Sequence, residues 1–280
     1  MNPQVISLIA RRIGISLATL LLVSFVVFAV SLLMEGDVAE AILGQSATPE
    51  AVAGLRAAMH LDEPAYLRYL RWLGGVLTGD AGTSLVTGTP VSALLAARLP
   101  NSLLLAGLTT LFSVPIALGL GIASAVKRGS TFDRVVSFVA IAVVSVPEFL
   151  IATLAVMLFA VTLRWLPALS STREIYSLWD MARVFAMPVL SLSCVVIAQM
   201  VRMTRAAVID QLDSSYVEAA RLKGVRPMRI VLRHALPNAI GPIATAVALS
   251  LSVLLGGVIV VEIIFNYPGV ARLMVDAVAT

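Results

Sequence analysis

Lysine, histidine, cysteine and charge are all scarce in this 280-residue chain: it has two lysines, two histidines and one cysteine, and 13% of its residues are charged. Neither Lys127 nor Lys223 follows a glycine, so the G-x-x-x-x-G-K-[ST] loop that cradles nucleotide phosphates does not occur. This chain does not bind ATP by that route. His60 and His234 stand in separate segments, and with Cys194 they make no ligand set of recognisable metal-site spacing. No G-x-S-x-G elbow is present, which removes the common Ser–His hydrolase arrangement. A single cysteine excludes an internal disulfide framework. Lying inside an apolar run, Cys194 reads as a small buried hydrophobe.

Apolar residues are abundant. They make up 59% of the chain, and the mean hydropathy is +0.98. A globular domain is about 45–50% apolar and about 25% charged, so this is an integral membrane protein, expected to be all-α. The net charge of +4 does not point to nucleic acid, because the basic residues cluster at the ends of apolar runs, the pattern of membrane topology.

Three regions are expected: 1–34 with the first span, an extracytoplasmic segment 35–99, and a membrane core 100–280 carrying a cytoplasmic loop at 206–237. Arg11-Arg12 precede 22 uncharged residues, Ile13 to Met34. A cleaved signal peptide competes here, and Ala39-Glu40-Ala41 resembles a cleavage site. The run exceeds the ~7–15 residues of a signal core and reaches the ~20 needed to span. It is read as an uncleaved span with the N-terminus inside. Tyr66, Leu70, Leu73 and Leu77 recur at helical spacing, a helix lying either at the interface or on its own loop. Four more spans follow at Pro100–Val126, Val135–Leu163, Val184–Val201 and Ala235–Val261. Pro147-Glu148 interrupts the third. Arg164-Trp165-Leu166-Pro167 closes it, and a polar loop with Tyr176 and Trp179 follows. With this topology, twelve of the 20 basic residues lie inside, dense near the span ends.

Glu148 and Glu262 are the two acids at or near membrane depth. A charge in a spanning helix costs at least ~2.5 kcal/mol, which invites a functional reading. Glu148 follows a proline that frees a carbonyl and can kink the helix into a cavity. It either lines a solute path, or pairs with a neighbouring polar group, or sits near the interface. Glu262, at the outer end of the fifth run, is expected at the interface. Gly119, Gly121, Ala123 and Ala125 are spaced by two and do not share a helical face, so they read as ordinary small residues, as does Gly256-Gly257.

The organising stretch is Asp213 to Pro237, DSSYVEAARLKGVRPMRIVLRHALP, the strongly polar segment between the last two runs. Ser215 and Glu218 have capping-box spacing, so a helix is expected to start at Ser215. Gly224 is placed to end it in a left-handed cap. Pro227 can open a second helix, and Pro237 marks a break before the next run. At the C-terminus, Ile263–Thr280 is too short and too polar to cross a ~30 Å core. Five spans are expected, with Thr280 at the outer side, unless a sixth span lies beyond it.

Glu218-Ala219-Ala220, three residues, Gly224, then Leu236-Pro237 resembles the cytoplasmic loop signature of importer permeases that work with ATP-binding cassette ATPases. His234 stands at the position where that signature has an apolar residue. The run Arg233 to Ala239 is similar to the branch that takes up di- and oligopeptides and nickel chelates. Gly79-Asp80-Ala81-Gly82-Thr83-Ser84, then Pro90-Val91 and Arg98-Leu99-Pro100, resembles a second block of that branch, with Ala81 in place of leucine. The resemblance implies a type I importer permease fold and a non-enzymatic subunit in the bacterial plasma (inner) membrane, surrounded by lipid. Its implied partners are a second permease, two ATPase subunits that bind the ATP, and an extracytoplasmic solute-binding protein. Tyr216, Glu218, Ala219, Ala220, Gly224 and Pro237 would form the ATPase-coupling loop, with no catalytic, cofactor or metal residue in this chain. Small side chains at Ala219 and Ala220 would permit close approach of the ATPase. The rival reading is a secondary transporter driven by an ion gradient, for which Glu148 is the main support. Neither reading names the solute.

Overall fold

A computed structural model describes residues 3–33, 38–44, 47–58, 60–84, 87–170 and 177–279. Every regular element among them is helical, and the chain divides into two compact units, Met1–Leu94 and Leu95–Thr280. Four single helices are long and apolar enough to cross a membrane, and a bent helix pair makes a fifth candidate.

In the first unit, α1 (Pro3–Leu33) carries Arg11 and Arg12 within the helix rather than before it. At about 1.5 Å per residue it extends roughly 46 Å, more than a ~30 Å hydrocarbon core. Short helices α2 (Val38–Leu43) and α3 (Pro49–Ala58) lead to α4 (Ala65–Thr78), the helix expected from the Tyr66 periodicity. Its anchor is Tyr69, whose ring packs against Phe25 and Phe28 of α1 while its hydroxyl shares a 2.9 Å hydrogen bond with Ser24. So α4 rests on the first span, and Tyr66, Leu70 and Leu77 face outward. The following block is a compact turn. Gly79 and Gly82 have φ +90° and +80°, a left-handed region that favours glycine. The Asp80 carboxylate accepts from Gly82 N–H, and Thr83 pairs with Pro90. Met34, Tyr176 and Thr280, named in the sequence reading, lie outside the described residues.

The second unit is built around α8 (Leu178–Leu212), which packs along α11 (Leu236–Ile264), α6 (Thr131–Val144) and α7 (Glu148–Ala155). Helix α5 (Val91–Val126) starts nine residues earlier than expected, with Pro100 and Pro115 inside it. Its buried positions Leu105, Thr109, Ser113, Ala117, Gly121 and Ala125 recur every four residues and form one face. A Cβ on Gly121 would come within 2.8 Å of Thr204 Cβ and 3.0 Å of Val201 O, so this face lets α5 approach α8 closely. Ser113 Oγ donates to Ser193 Oγ on α8 at 2.9 Å. Gly119, by contrast, is exposed with open space around it. The expectation for Cys194 is corrected: it sits on the outward side of α8.

The third span is a bent pair, broken at the expected Pro147-Glu148 interruption. Helix α6 ends at Val144, and α7 with its π-helical continuation Val156–Thr162 leaves at 98°. The chain turns at Pro147, which takes φ −58° and ψ 138° ahead of α7, and whose ring disfavours helical backbone in the residue before it.

Candidate functional site

The polar stretch folds as α9 (Ser215–Leu222), a turn, and α10 (Pro227–Ile230). The turn is a Schellman cap. Gly224 takes φ +75°, its N–H donates to Arg221 O at 2.9 Å, and Val225 N–H donates to Ala220 O at 3.2 Å. Pro227 occupies the first turn of α10. Val217, Ala220 and Ile230 are buried together, with Leu212 and Val225 against them. That cluster fastens α9 to the end of α8. Tyr216, Glu218, Ala219 and Leu222 face outward, and the Tyr216 hydroxyl donates to Gln211 Oε1 at 2.9 Å.

Three sequence expectations change here. Helix α9 starts at Ser215 as expected, but its N-cap is Ser214, so N3 is Val217 and no capping box forms; the Ser214 hydroxyl instead donates backward to Gln211 O at 2.5 Å. Ala220 points into the protein, leaving Ala219 as the small residue of the pair on the outer face. Pro237 does not break the helix. A π-helical turn, Val231–Ala235, absorbs it, so Pro227–Ile264 forms one helical span. The Asn238 side chain donates to His234 O at 2.8 Å within that widened stretch.

Glu148 opens α7 at the bend and is half-buried. Its carboxylate lies directly on Gly257 of α11, where a Cβ would occupy the same space. Gly257 is therefore a glycine because a carboxylate needs its surface, whereas Gly256 has nothing within 4 Å. Among the described residues, no side chain donates a hydrogen bond to Glu148. Four residues before it, Val144 forms the edge of a groove with Gln199, Arg202, Met203 and Ala206. A second groove shares Met203 and Ala206 and continues to Asp210, Pro242 and Thr245.

Glu262 is fully buried among protein groups. Ser102 Oγ donates to one carboxylate oxygen at 2.6 Å and Arg272 N–H to the other at 3.0 Å. The carboxylate thereby receives the N-terminus of α12 (Val270–Ala279) and covers Gly269. Tyr267 O–H to Asn101 O, Asn101 Nδ2 to Pro268 O, and Val270 N–H to Ser102 Oγ complete the knot. Sequence reasoning missed this role because Ser102 is 160 residues away in the chain. Among the described residues, no three metal-binding side chains come together.

Residues 116–280 match the family described as binding-protein-dependent transport system inner membrane component. Residues 5–106 match the N-terminal membrane component of such systems. The chain is 37% identical over 268 residues to glutathione transport system permease protein GsiC of Salmonella paratyphi A, covering 96% of this chain and 85% of that protein. It is 34% identical over 272 residues to the "Probable peptide ABC transporter permease protein y4tP" of Sinorhizobium fredii, covering 96% of this chain and 86% of that one.

Proposed function

We propose that this chain, which belongs to the binding-protein-dependent transport system inner membrane components, is the permease subunit of an ATP-driven importer for peptides or peptide-like solutes; its relatives are named as a peptide ABC transporter permease and a glutathione transport system permease. The observation that carries the reading is α9: a short helix with an outward face of Tyr216, Glu218, Ala219 and Leu222, capped by Gly224 and bound to the end of α8 by its inner face. A separate ATPase would seat this helix in a groove on its surface. ATP would bind there, because this chain has no phosphate loop.

The protein crosses the bacterial inner membrane several times. The basic residues favour a cytoplasmic N-terminus, which puts α9 and α10 in the cytoplasm and the Gly79–Pro90 turn and the Glu262 knot outside. The working assembly would hold a second permease, two ATPase subunits and an external solute-binding protein. The turn at Gly79–Pro90 is a docking surface for the last of these. Closure of the ATPases pushes α9, and the Val217–Ala220–Ile230 cluster passes that push to α8 and, through α10, to α11. The bundles then rock from inward- to outward-facing. Glu148, half-buried at a bend without a donor from the described residues, is suited to meet the amino group of a peptide in the path.

A cysteine at Ala219 in a Cys194→Ser background tests the docking. It should cross-link to the ATPase subunit in the assembled transporter, and the yield should change with ATP. No cross-link there, with efficient cross-linking from an outward residue elsewhere, would count against the assignment.

A further inference from the structure

Three segments of the second unit converge on one buried carboxylate, Asp133, which is 3% exposed. Arg205 of α8 grips it with two prongs, Nε to Oδ1 at 2.6 Å and one Nη to Oδ2 at 2.9 Å. Ser124 of α5 donates to Oδ1 at 2.5 Å, and Gly129 N–H, in the turn between α5 and α6, donates to Oδ2 at 2.9 Å. Ser130 Oγ accepts from Asp133 N–H and so caps the helix that carries it. Eight residues further along α8, Arg128 of the same turn meets Asp213 at 2.7 Å, with both side chains more than half exposed. The α5–α6 turn is thus fastened to α8 at two levels, roughly 12 Å apart along its axis.

Stability alone is a weak reason for such a pair, because well-packed apolar residues can replace a buried ion pair without loss. A two-pronged guanidinium–carboxylate contact supplies orientation. The position gives that orientation a use. Helix α8 ends at Leu212 with Asp213 as its C-cap, shortly before α9, while α6 carries Asp133 in its first turn and leads to the bend that carries Glu148. Resting on the importer reading above, we propose that the Asp133–Arg205 pair is a positioning joint. It makes α6 follow α8 when α9 is pushed, so that ATP closure repositions the Glu148 bend. Neither residue touches solute or nucleotide.

The assembled transporter in proteoliposomes tests this, with uptake of a labelled dipeptide and ATP hydrolysis measured on the same vesicles. Asp133→Asn and Arg205→Gln should each lower the dipeptide imported per ATP on the order of tenfold, the size of a typical coupling between sites. The double variant should fall no further, since both changes remove one joint. Arg205→Lys should recover only part, because one ammonium cannot hold both oxygens in the same geometry. Arg128→Ala should stay within about twofold, as an exposed pair contributes little. Uptake and hydrolysis falling together at an unchanged ratio would show that the pair only holds the fold, and would overturn the proposal. If the charge-removing variants do not assemble, Ser124→Ala and Arg205→Lys decide it, and a wild-type ratio in both overturns it. Wild-type vesicles without ATP-dependent uptake of the solute that the solute-binding protein retains would instead sink the importer reading.

Discussion

Substituting Gly224 isolates one physical quantity. The residue has φ +75°, and a Cβ there would meet nothing within 4 Å, so a larger side chain adds strain without a clash. The left-handed conformation costs an ordinary L-residue about 1–2 kcal/mol. That changes the equilibrium between the capped and frayed end of α9 by roughly five- to thirtyfold. Two hydrogen bonds depend on the cap, Gly224 N–H to Arg221 O and Val225 N–H to Ala220 O. Asparagine tolerates this region, alanine less so, and β-branched valine least. Solute-stimulated ATP hydrolysis by the assembled transporter should therefore decline in the order Gly224, Gly224→Asn, Gly224→Ala, Gly224→Val. The amount of protein in the membrane should stay constant. Equal activity across the series would refute the backbone argument. A loss tracking side-chain volume, with Gly224→Asn worse than Gly224→Ala, would place the defect in ATPase contact instead.

Other sites give distinct expectations. Gly121→Leu forces a side chain into Thr204 and Val201 O, an overpacking of about 1–3 kcal/mol. It should lower the thermal midpoint of the purified protein, whereas Gly119→Leu should leave it unchanged. Glu148→Gln should weaken peptide uptake at unchanged protein level, and Gly257→Ala should reproduce that phenotype by displacing the carboxylate; normal uptake kinetics in both would give Glu148 a structural role only. Glu262→Ala strands the Ser102 hydroxyl and Arg272 N–H. Hydrogen bonds to a charged group contribute about 1.5–3 kcal/mol each, so thermal unfolding of the purified variant should show a clear drop, smaller for Glu262→Gln.

Local chemistry was legible in the sequence, and distant pairing was not. Gly224 and Pro227 act through their own backbones, so their roles could be read from one residue each. Pro147 breaks the third span for the same reason. The cap of α9 moved by one residue because Ser214 and Ser215 are chemically equal, and only the chain path from Asp213 chooses between them. Pro237 escaped prediction because a π-helical turn absorbed its missing N–H. The α5 packing face was present as a four-residue repeat from Leu105 to Ala125, but the conspicuous pair of glycines at 119 and 121 hid it. Ala220 and Cys194 took opposite sides from those expected, since a helix face is assigned by its neighbours. Glu262 and Asp133 are satisfied by partners 160 and 72 residues away, which no local pattern reveals. A lone acid among Lys127, Arg128 and Arg134 was the one available hint for Asp133.

The central claim is that this chain moves solute on energy supplied by a separate ATPase. Proteoliposomes holding the permease pair, the ATPases and a loaded solute-binding protein test it directly, by following labelled dipeptide entry with ATP supplied to the ATPase side. Entry should require ATP and both ATPase subunits, persist when proton and sodium gradients are collapsed, and be lost in Gly224→Val. Entry driven by an imposed ion gradient in vesicles lacking the ATPases would contradict the account and favour a secondary transporter.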